Sequence, residues 1–391
     1  MSRRKSRIAV IFGCFVGMIS VLVLASAAFA GNIPVNCNNG QSLNSTLAKL
    51  NKQVATTVTV QGTCTEFVAV DGFEGLTLIG KSGATIQQPA TNPQNNSYVL
   101  SITSARRLRV SGLTVNSQST IFSSIGIGKG SSDVQLQNVN TTGSWGVVIY
   151  EESQVWLIGV NVTINSGYAA VSAFDKSDVH IAGGLLQRPS DSNYHVGLLV
   201  GSGHVTMQGM TIRDLDQAIN INGSGSVDAV VVDNTQPSDV LIDNPSGTNT
   251  NGVVVSDGSS LNLGSARLLI RNAGQSWGWT TGAIFVTNNS SLSAGTGLLV
   301  TNSQGQGVIV TNNSHATLAG SSISMSLHGG LVATNLSTID LQGWQGLNVV
   351  GGNNPDLFCD SSSYITGTAS VSGAPTSNCA NQLPFEYSSL P

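Results

Sequence analysis

Charged side chains are scarce in this chain of 391 residues: 9% of the residues are Asp, Glu, Lys or Arg, and no Lys or Arg follows Arg271. Aromatic residues make up only 5%. The few basic residues form no patch along the sequence, which argues against a nucleic-acid partner, because binding to a phosphate backbone depends on clustered Lys and Arg. Gly, Ser, Asn, Thr and Val are abundant instead, and this composition favours a β-solenoid surface over helices.

The first 30 residues have the pattern of an export signal. Four basic residues between Arg3 and Arg7 precede an apolar stretch, and Ala-Phe-Ala at residues 28–30 predicts cleavage after Ala30. An uncleaved membrane anchor of similar length is the alternative. Cleavage leaves 12 basic and 20 acidic residues, a net charge near −8, and no transmembrane anchor. The sequence therefore predicts a secreted or cell-envelope protein.

A motif that returns about every 24 residues dominates the rest of the chain. Each copy places alternating apolar residues shortly after a serine, and clear copies begin at Ser132, Ser153, Ser177, Ser290, Ser314 and Ser337. A period of this length indicates a solenoid of stacked coils, and the alternation indicates strands with one buried face. Gly or Asn usually follows the strand, as a sharp corner requires.

Another short strand ends each predicted coil, for example at Gly146–Tyr150, Gly252–Ser256 and Gly307–Thr311. With two or three short strands in each coil, the sequence resembles the right-handed parallel β-helices of the pectin-lyase-like superfamily over roughly residues 35–375. The resemblance implies an all-β fold, a single-stranded right-handed parallel β-helix of about 12 coils. The handedness comes from the resemblance alone.

Both ends of a solenoid need covers, because an open coil exposes unpaired strand edges. Leu43 and Leu47 lie at helical spacing between Gln41 and Lys52, which predicts a short N-terminal capping helix. The predicted organisation is a signal peptide at 1–30, an N-terminal cap at 31–56, the β-helix at 57–350 and a C-terminal cap or tail at 351–391.

Four of the five cysteines follow the predicted signal: Cys37, Cys64, Cys359 and Cys379. An even number in an exported chain suggests two disulfides, for which three pairings are possible. We favour Cys37–Cys64 and Cys359–Cys379, because each pair brackets one end of the repeat region.

In the eight coil-ending strands found between Gly146 and Thr334, the outward positions carry no Asp, Glu, Lys, Arg or His. A uronate lyase needs cations or calcium-binding carboxylates and a base, and a glycosidase normally needs two opposed carboxylates. The Trp-Ile-Asp-His signature of pectate lyases is reduced here to Trp156-Leu-Ile-Gly. Asp214-Leu-Asp216 is a loose match to the paired aspartates of polygalacturonases. The resemblance therefore brings no known catalytic set to this chain.

One charged group lies just after these strands. Lys129, Glu151 and Asp175 occupy equivalent positions in three successive predicted coils, which stack about 4.8 Å apart. Tyr150 and Phe174 precede the two acids. The hypothesis is a carbohydrate site in which the two rings stack as a platform, with Glu151 and Asp175 as candidate catalytic groups. A solvated turn in which lysines neutralise the acids is the alternative.

Asp214 and Asp216 form a second candidate pair, for which hydrogen bonding at a corner is the alternative. His180, His195 and His204 lack the spacing of metal ligands, so we expect no metal site, and no cofactor motif is present.

The sequence thus predicts an exported, non-catalytic β-helix protein that binds carbohydrate or serves as a cell-surface interaction scaffold. A divergent glycoside hydrolase or polysaccharide lyase is one alternative, and a purely structural surface protein is another. We expect a polysaccharide as the partner and a monomer as the state of the molecule.

Overall fold

The computed structural model describes residues 31–92, 94–118, 123–188, 194–231, 238–244, 251–274, 281–295, 297–343, 346–372 and 379. The predicted signal at 1–30 lies outside these residues, and so does the Trp277-Gly-Trp279 sequence, in which two tryptophans could stack on a ligand or pack against the solenoid.

Most coils consist of three short strands, and equivalent strands of successive coils pair in parallel to form three ladders. The first ladder consists of Asn32–Asn36, Thr56–Gln61, Leu76–Gly80, Arg106–Ser111, Ser132–Gln137, the first part of Gln154–Ile164, the first part of Asp178–Gln187, His204–Gln208, Ser226–Ala229, Ser260–Leu263, Ser291–Ala294, His315–Ala319, Thr338–Gln342 and Tyr364–Gly367.

The second ladder consists of Thr63–Thr65, Thr85–Gln87, Thr114–Asn116, Asn140–Gly143, the second parts of Gln154–Ile164 and Asp178–Gln187, Thr211–Arg213, Val240–Asp243, Leu268–Arg271, Leu298–Thr301, Ser322–Ser324, Asn348–Gly351 and Ala369–Val371. Gly159 and Gly183, with φ of 59° and 69°, turn the two long strands from the first ladder into the second.

The third ladder contains twelve strands within the described residues: Val68–Asp71, Tyr98–Thr103, Ser123–Gly128, Trp145–Ile149, Ala169–Phe174, Val196–Gly201, Gln217–Asn222, Asn251–Val255, Gly282–Val286, Gln306–Val310, Leu331–Ala333 and Leu357–Cys359. The prediction of an all-β parallel β-helix of about 12 coils is confirmed.

Stacked aliphatic side chains fill the interior. In the third ladder, buried inward residues lie in register from coil to coil, including Ile125, Val147, Val171, Leu198 and Ile219. The outward neighbours alternate with them, as the period of a strand requires. The alternation therefore determines which side chains are accessible, because only the outward set reaches solvent.

The corner between the third and first ladders is built from residues in the left-handed region of φ. Lys129, Glu151, Asp175, Asn288 and Asn312 occupy equivalent positions there, with φ between 51° and 57°. Asn and Asp tolerate this conformation better than other residues that carry a Cβ. The charged group of the first hypothesis therefore belongs to a structural corner that every coil must make.

A buried serine follows this corner and links neighbouring coils. The Oγ of Ser290 accepts the N–H of Ser259, the Oγ of Ser314 accepts the N–H of Ser290, and the Oγ of Ser337 accepts the N–H of Ser314, at 3.1–3.2 Å. We call Ser259, Ser290, Ser314, Ser337 and Ser363 the serine row. The row explains why the sequence motif begins with serine.

One motif copy is shifted relative to the structure. The buried residue equivalent to the serine row is Ser131, whose Oγ donates to the Gly128 carbonyl at 2.7 Å, and it precedes the Ser132 of the sequence motif. This coil has one more residue than the next between the buried serine and the paired residues Val134 and Val155, and Asp133 adopts a left-handed φ of 52° there.

The first coil is covered as the sequence predicted, by a shorter helix. A 3-10 turn at Cys37–Asn39 precedes an α-helix at Leu43–Leu47, in which both leucines are buried. The Ser42 Oγ accepts the N–H of Ser45. The Glu66 carboxylate accepts bonds from the Ser42 hydroxyl and the N–H of Leu43 at 2.6 and 2.7 Å, which satisfies the free end of the helix.

The predicted disulfides, Cys37–Cys64 and Cys359–Cys379, are both present. Parallel strands extend beyond the predicted β-helix region at 57–350, from Asn32–Asn36 to Ala369–Val371. In the part of the chain that the structure describes, no helix is long and apolar enough to cross a membrane.

Candidate functional site

Two glycines on the third ladder make room for aromatic rings. Gly126 and Gly128 occupy outward positions, and a Cβ at either one would overlap a ring, that of Tyr98 over Gly126 and that of Tyr150 over Gly128. Glycine is therefore needed here for the close approach of a side chain to the sheet. The rings of Tyr98 and Tyr150 stack across this strand with centroids 6.0 Å apart and planes 19° apart.

The hydroxyl of Tyr98 is held in its neutral form. Burial raises the pKa of Tyr98 above its ordinary value, and its hydrogen bond with Tyr150 and the charge of Glu151 raise it further. A neutral phenol both donates and accepts hydrogen bonds, so the pair offers polar tips beside its apolar rings.

Three more rings lie at the N-terminal ends of three successive strands of the same ladder, Trp145–Ile149, Ala169–Phe174 and Val196–Gly201. Trp145 lies 5.7 Å from Tyr168 between ring centroids, and Tyr168 lies 5.9 Å from Tyr194. Tyr168 and Tyr194 are 38% and 43% exposed. The rings come from three successive coils, so they form a strip along the solenoid axis.

We define the aromatic face as Tyr98, Trp145, Tyr150, Tyr168, Phe174 and Tyr194. It holds four of the six tyrosines of the chain. Tyr150 and Phe174 were predictable from the sequence, whereas the other four members were not. The outward glycines Gly126 and Gly128 are the signal in the sequence that could have suggested a ring from another coil.

The predicted stacking of Tyr150 on Phe174 is wrong. The ring of Tyr150 leans over Gly128 of the preceding coil, whereas the ring of Phe174 leans over Gly201 of the following coil. Phe174 packs instead against a small outward apolar cluster that includes Leu199. The two rings point in opposite directions because each lies over a glycine, and these glycines are on the coils on either side.

The charged group of the sequence hypothesis borders this face. Lys129, Glu151 and Asp175 line an open depression of about 570 Å³, together with Lys176 and Ser202. The Glu151 carboxylate accepts the backbone N–H of Lys129 at 3.0 Å. Among the described residues, no ion pair joins either lysine to these acids, so the carboxylates are not neutralised by direct contact.

Asp214 and Asp216 lie at the same corner but differ in backbone conformation and in burial. Asp214 is in the left-handed region, with φ of 56°. Asp216 is buried, and its Oδ2 accepts bonds from the Arg188 guanidinium at 2.8 Å and the His195 N–H at 2.7 Å. Burial raises the pKa of Asp216, while the two donors oppose that rise.

The first ladder carries a second outward group that the sequence did not reveal. The His180 ring stacks on Trp156 at 4.0 Å, and its Nε2 lies 3.3 Å from an oxygen of Asp178. On the next coil, His204 Nδ1 lies 2.8 Å from the Ser226 hydroxyl. The Trp156–His180 stack and the His204–Ser226 contact run from coil to coil along the axis, whereas Asp178 and His180 lie on the same strand.

Metal-ligand chemistry is limited in the described ranges. There, a single group of three potential ligand side chains lies within 4.8 Å: Cys37, Cys64 and Glu66. The two cysteines form a disulfide, so they offer no thiolate to an ion.

A scan against protein-family models found no match, and a search of curated proteins found none. Among solved structures, the chain is similar to the family 28 exopolygalacturonase of Yersinia enterocolitica. The sequence identity is 10% and the TM-score is 0.33, over 88% of this chain and 79% of that one. At this level the likeness carries no argument about the chain, and the parallel β-helix is shown by the strand pairing itself.

Proposed function

We propose that this protein is exported and binds a polysaccharide on the aromatic face without cleaving it. The observation that carries the proposal is the gathering of six rings, four of them tyrosine, on adjoining coils of one ladder. Rings of this kind combine a flat apolar surface with a polar tip. A sugar residue offers the matching surface, apolar C–H faces with hydroxyls around the edge.

The acids beside the face support binding more than cleavage. Glycosidases place two carboxyl groups on either side of the scissile bond, one of them in an environment that keeps it protonated. Glu151 and Asp175 instead lie on the same exposed corner of neighbouring coils, and Glu151 accepts a backbone N–H of that corner. Their role in the proposal is to hydrogen-bond sugar hydroxyls at the edge of the face.

The test is retention of the chain from residue 31 to residue 391 on a panel of immobilised neutral and acidic polysaccharides. The double variant Tyr98→Ala/Tyr150→Ala is expected to bind the retained polymer at least tenfold more weakly, because each stacked ring contributes about 1 kcal/mol. Tyr364→Ala is the matched control, since this tyrosine is 48% exposed on the first ladder, away from the face.

Two further readouts accompany retention. Release of reducing ends or of unsaturated sugars would contradict the non-catalytic part of the proposal, and Glu151→Gln, Asp175→Asn and Asp216→Asn would then locate the acid. Expression with residues 1–30 in a secreting host is expected to yield a product that begins at Gly31. An intracellular product that keeps Met1 would contradict export.

A further inference from the structure

A second depression, of about 330 Å³, lies at the corner between the second and third ladders. We call it the amide groove and define it by six of its lining residues: Gln87, Asn116, Gln118, Thr142, Asn165 and Ser166. Its volume is at the lower end of the range typical of small-molecule sites. All six side chains are uncharged and polar.

Two amides in the wall have one unmet end each. Asn116 Nδ2 donates to Gln87 Oε1 at 3.4 Å, which is a long bond. Gln87 Nε2 and Asn116 Oδ1 are buried and have no hydrogen-bond partner among the described residues. Native proteins pair nearly all such atoms, and an unmet one costs about 1–3 kcal/mol. Either amide can therefore turn towards a ligand without giving up a strong bond.

Two members of the aromatic face lie one and two residues along the chain from residues that line the groove. Ser144 lines the groove and the next residue is Trp145, while Ser166 lines it two residues before Tyr168. Gly167 packs so closely against Ser144 that a Cβ would overlap the Ser144 carbonyl oxygen. This contact brings the two coils close together beside the groove.

We propose that the amide groove, with Trp145 and Tyr168, binds an uncharged sugar residue of the polysaccharide. The inference rests on the proposed function and names its ligand class, a neutral glycan. A hydroxyl both donates and accepts, so it can satisfy the donor end of Gln87 and the acceptor end of Asn116. A uronate carboxylate only accepts, and it would enter a groove that offers no cation.

The experiment measures the affinity of wild-type protein for soluble neutral polymers, such as xylan and β-glucan, and for polygalacturonate and alginate. Asn116→Ala and Asn165→Ala are each expected to weaken binding of the neutral polymer about fivefold, the value of one hydrogen bond. Asn262→Ala is the control, because Asn262 is an exposed asparagine on the outward side of the first ladder.

The outcomes separate this inference from the proposed function. Binding of acidic polymers alone would overturn the inference and leave polysaccharide binding intact. Neutral binding that is lost in Tyr98→Ala/Tyr150→Ala but unchanged in both asparagine variants would mean that water fills the groove, and would also overturn it. Absence of binding to every polymer would overturn both proposals.

Discussion

The Arg188 guanidinium and the His195 N–H both donate to the same oxygen of the Asp216 carboxylate, Oδ2. The other oxygen, Oδ1, takes part in neither of these two hydrogen bonds, although the whole carboxylate is buried. Since burial outweighs the Arg188 and His195 contacts, the pKa is raised, and the folded state holds this proton more tightly than the unfolded chain does. The stability that this implies is complete below the unfolded value, near 3.8, and is lost as the pH rises through the folded pKa.

Asp216→Asn is therefore expected to stabilise the protein at pH 7. The amide oxygen can keep both donors, and the buried carboxylate charge, whose burial outweighs its contacts, is removed. The Arg188 guanidinium stays buried and keeps its hydrogen bond to the side-chain oxygen. The gain should disappear as the pH falls below about 3.8, where wild-type Asp216 is itself neutral. The measurement is the midpoint of thermal unfolding of wild type and variant from pH 3 to pH 8.

Asp239→Asn is the control of opposite sign. Asp239 binds the Arg267 guanidinium through both oxygens, at 3.0 and 2.6 Å, and this hydrogen bonding lowers its pKa. Its contribution is present above the unfolded value and lost as the pH falls through the folded one, so the variant should lose up to about 1 kcal/mol at pH 7. Destabilisation by Asp216→Asn at pH 7 would contradict the account of that carboxyl.

Within the coils, the serine row fastens the corner that follows the third ladder. The Oγ of every member except Ser259 accepts a backbone N–H of the preceding coil, and these N–H groups are buried. This repeated side-chain bond adds to the backbone bonds that join the corners of neighbouring coils, such as the one from the Asn289 N–H to the Asn312 carbonyl at 3.1 Å.

Ser314→Ala is expected to destabilise the protein by about 1–3 kcal/mol, because it leaves the buried N–H of Ser290 without its partner. Ser293→Ala removes an exposed hydroxyl from a neighbouring coil and should change the stability by less than about 0.5 kcal/mol. Urea unfolding monitored by circular dichroism measures both. Equal midpoints for the two variants would show that the serine row adds nothing.

Strand alternation made the core of each element predictable from the sequence. Val147 and Ile149 alternate with outward Val148 and Tyr150, and the structure places them as that pattern requires. The partner of Tyr150 could not be predicted in this way. Tyr98 lies two coils earlier, and its ring contacts that of Tyr150 across the intervening strand, in which the outward residues Gly126 and Gly128 leave room. The contact therefore depends on side-chain direction as well as on strand register.

The amide groove could not be predicted from the sequence, for a related reason. Gln87, Asn116 and Thr142 lie in register on three coils of unequal length. A fixed period of about 24 residues does not bring them together, because the loops between ladders vary. Local patterns therefore gave the fold, whereas the sites depend on how coils of different length align.

At the scale of the molecule, a solenoid is held together by contacts between neighbouring coils only, so damage at one end stays local. The two disulfides lie at the two ends of the solenoid, where a terminal coil has a neighbouring coil on one side only. Cys37–Cys64 closes the first coil across 27 residues and Cys359–Cys379 closes the last across 20. By the chain-entropy model, a loop of the first size stabilises the folded state by about 3–4 kcal/mol.

Cys37→Ser/Cys64→Ser is expected to speed amide hydrogen exchange in Asn32–Asn36 and Thr56–Gln61 and to leave the coils after residue 130 unchanged. The reason is that the lost constraint affects only the coil that it closed. Hydrogen exchange resolved by mass spectrometry measures this directly. Faster exchange throughout the solenoid would show that the chain unfolds as one cooperative unit.

The direction of the ladder hydrogen bonds also sets how the molecule responds to force. Every strand pairs along the solenoid axis, so tension between the two ends pulls bonds open one coil at a time. A coil that occupies about 4.8 Å of the axis releases roughly 24 residues, about 80 Å of extended chain. The two terminal disulfides prevent the loops that they close from releasing their full length. Under load, we expect the middle coils to unfold and lengthen the molecule, while the disulfide-closed loops at its two ends cannot extend fully.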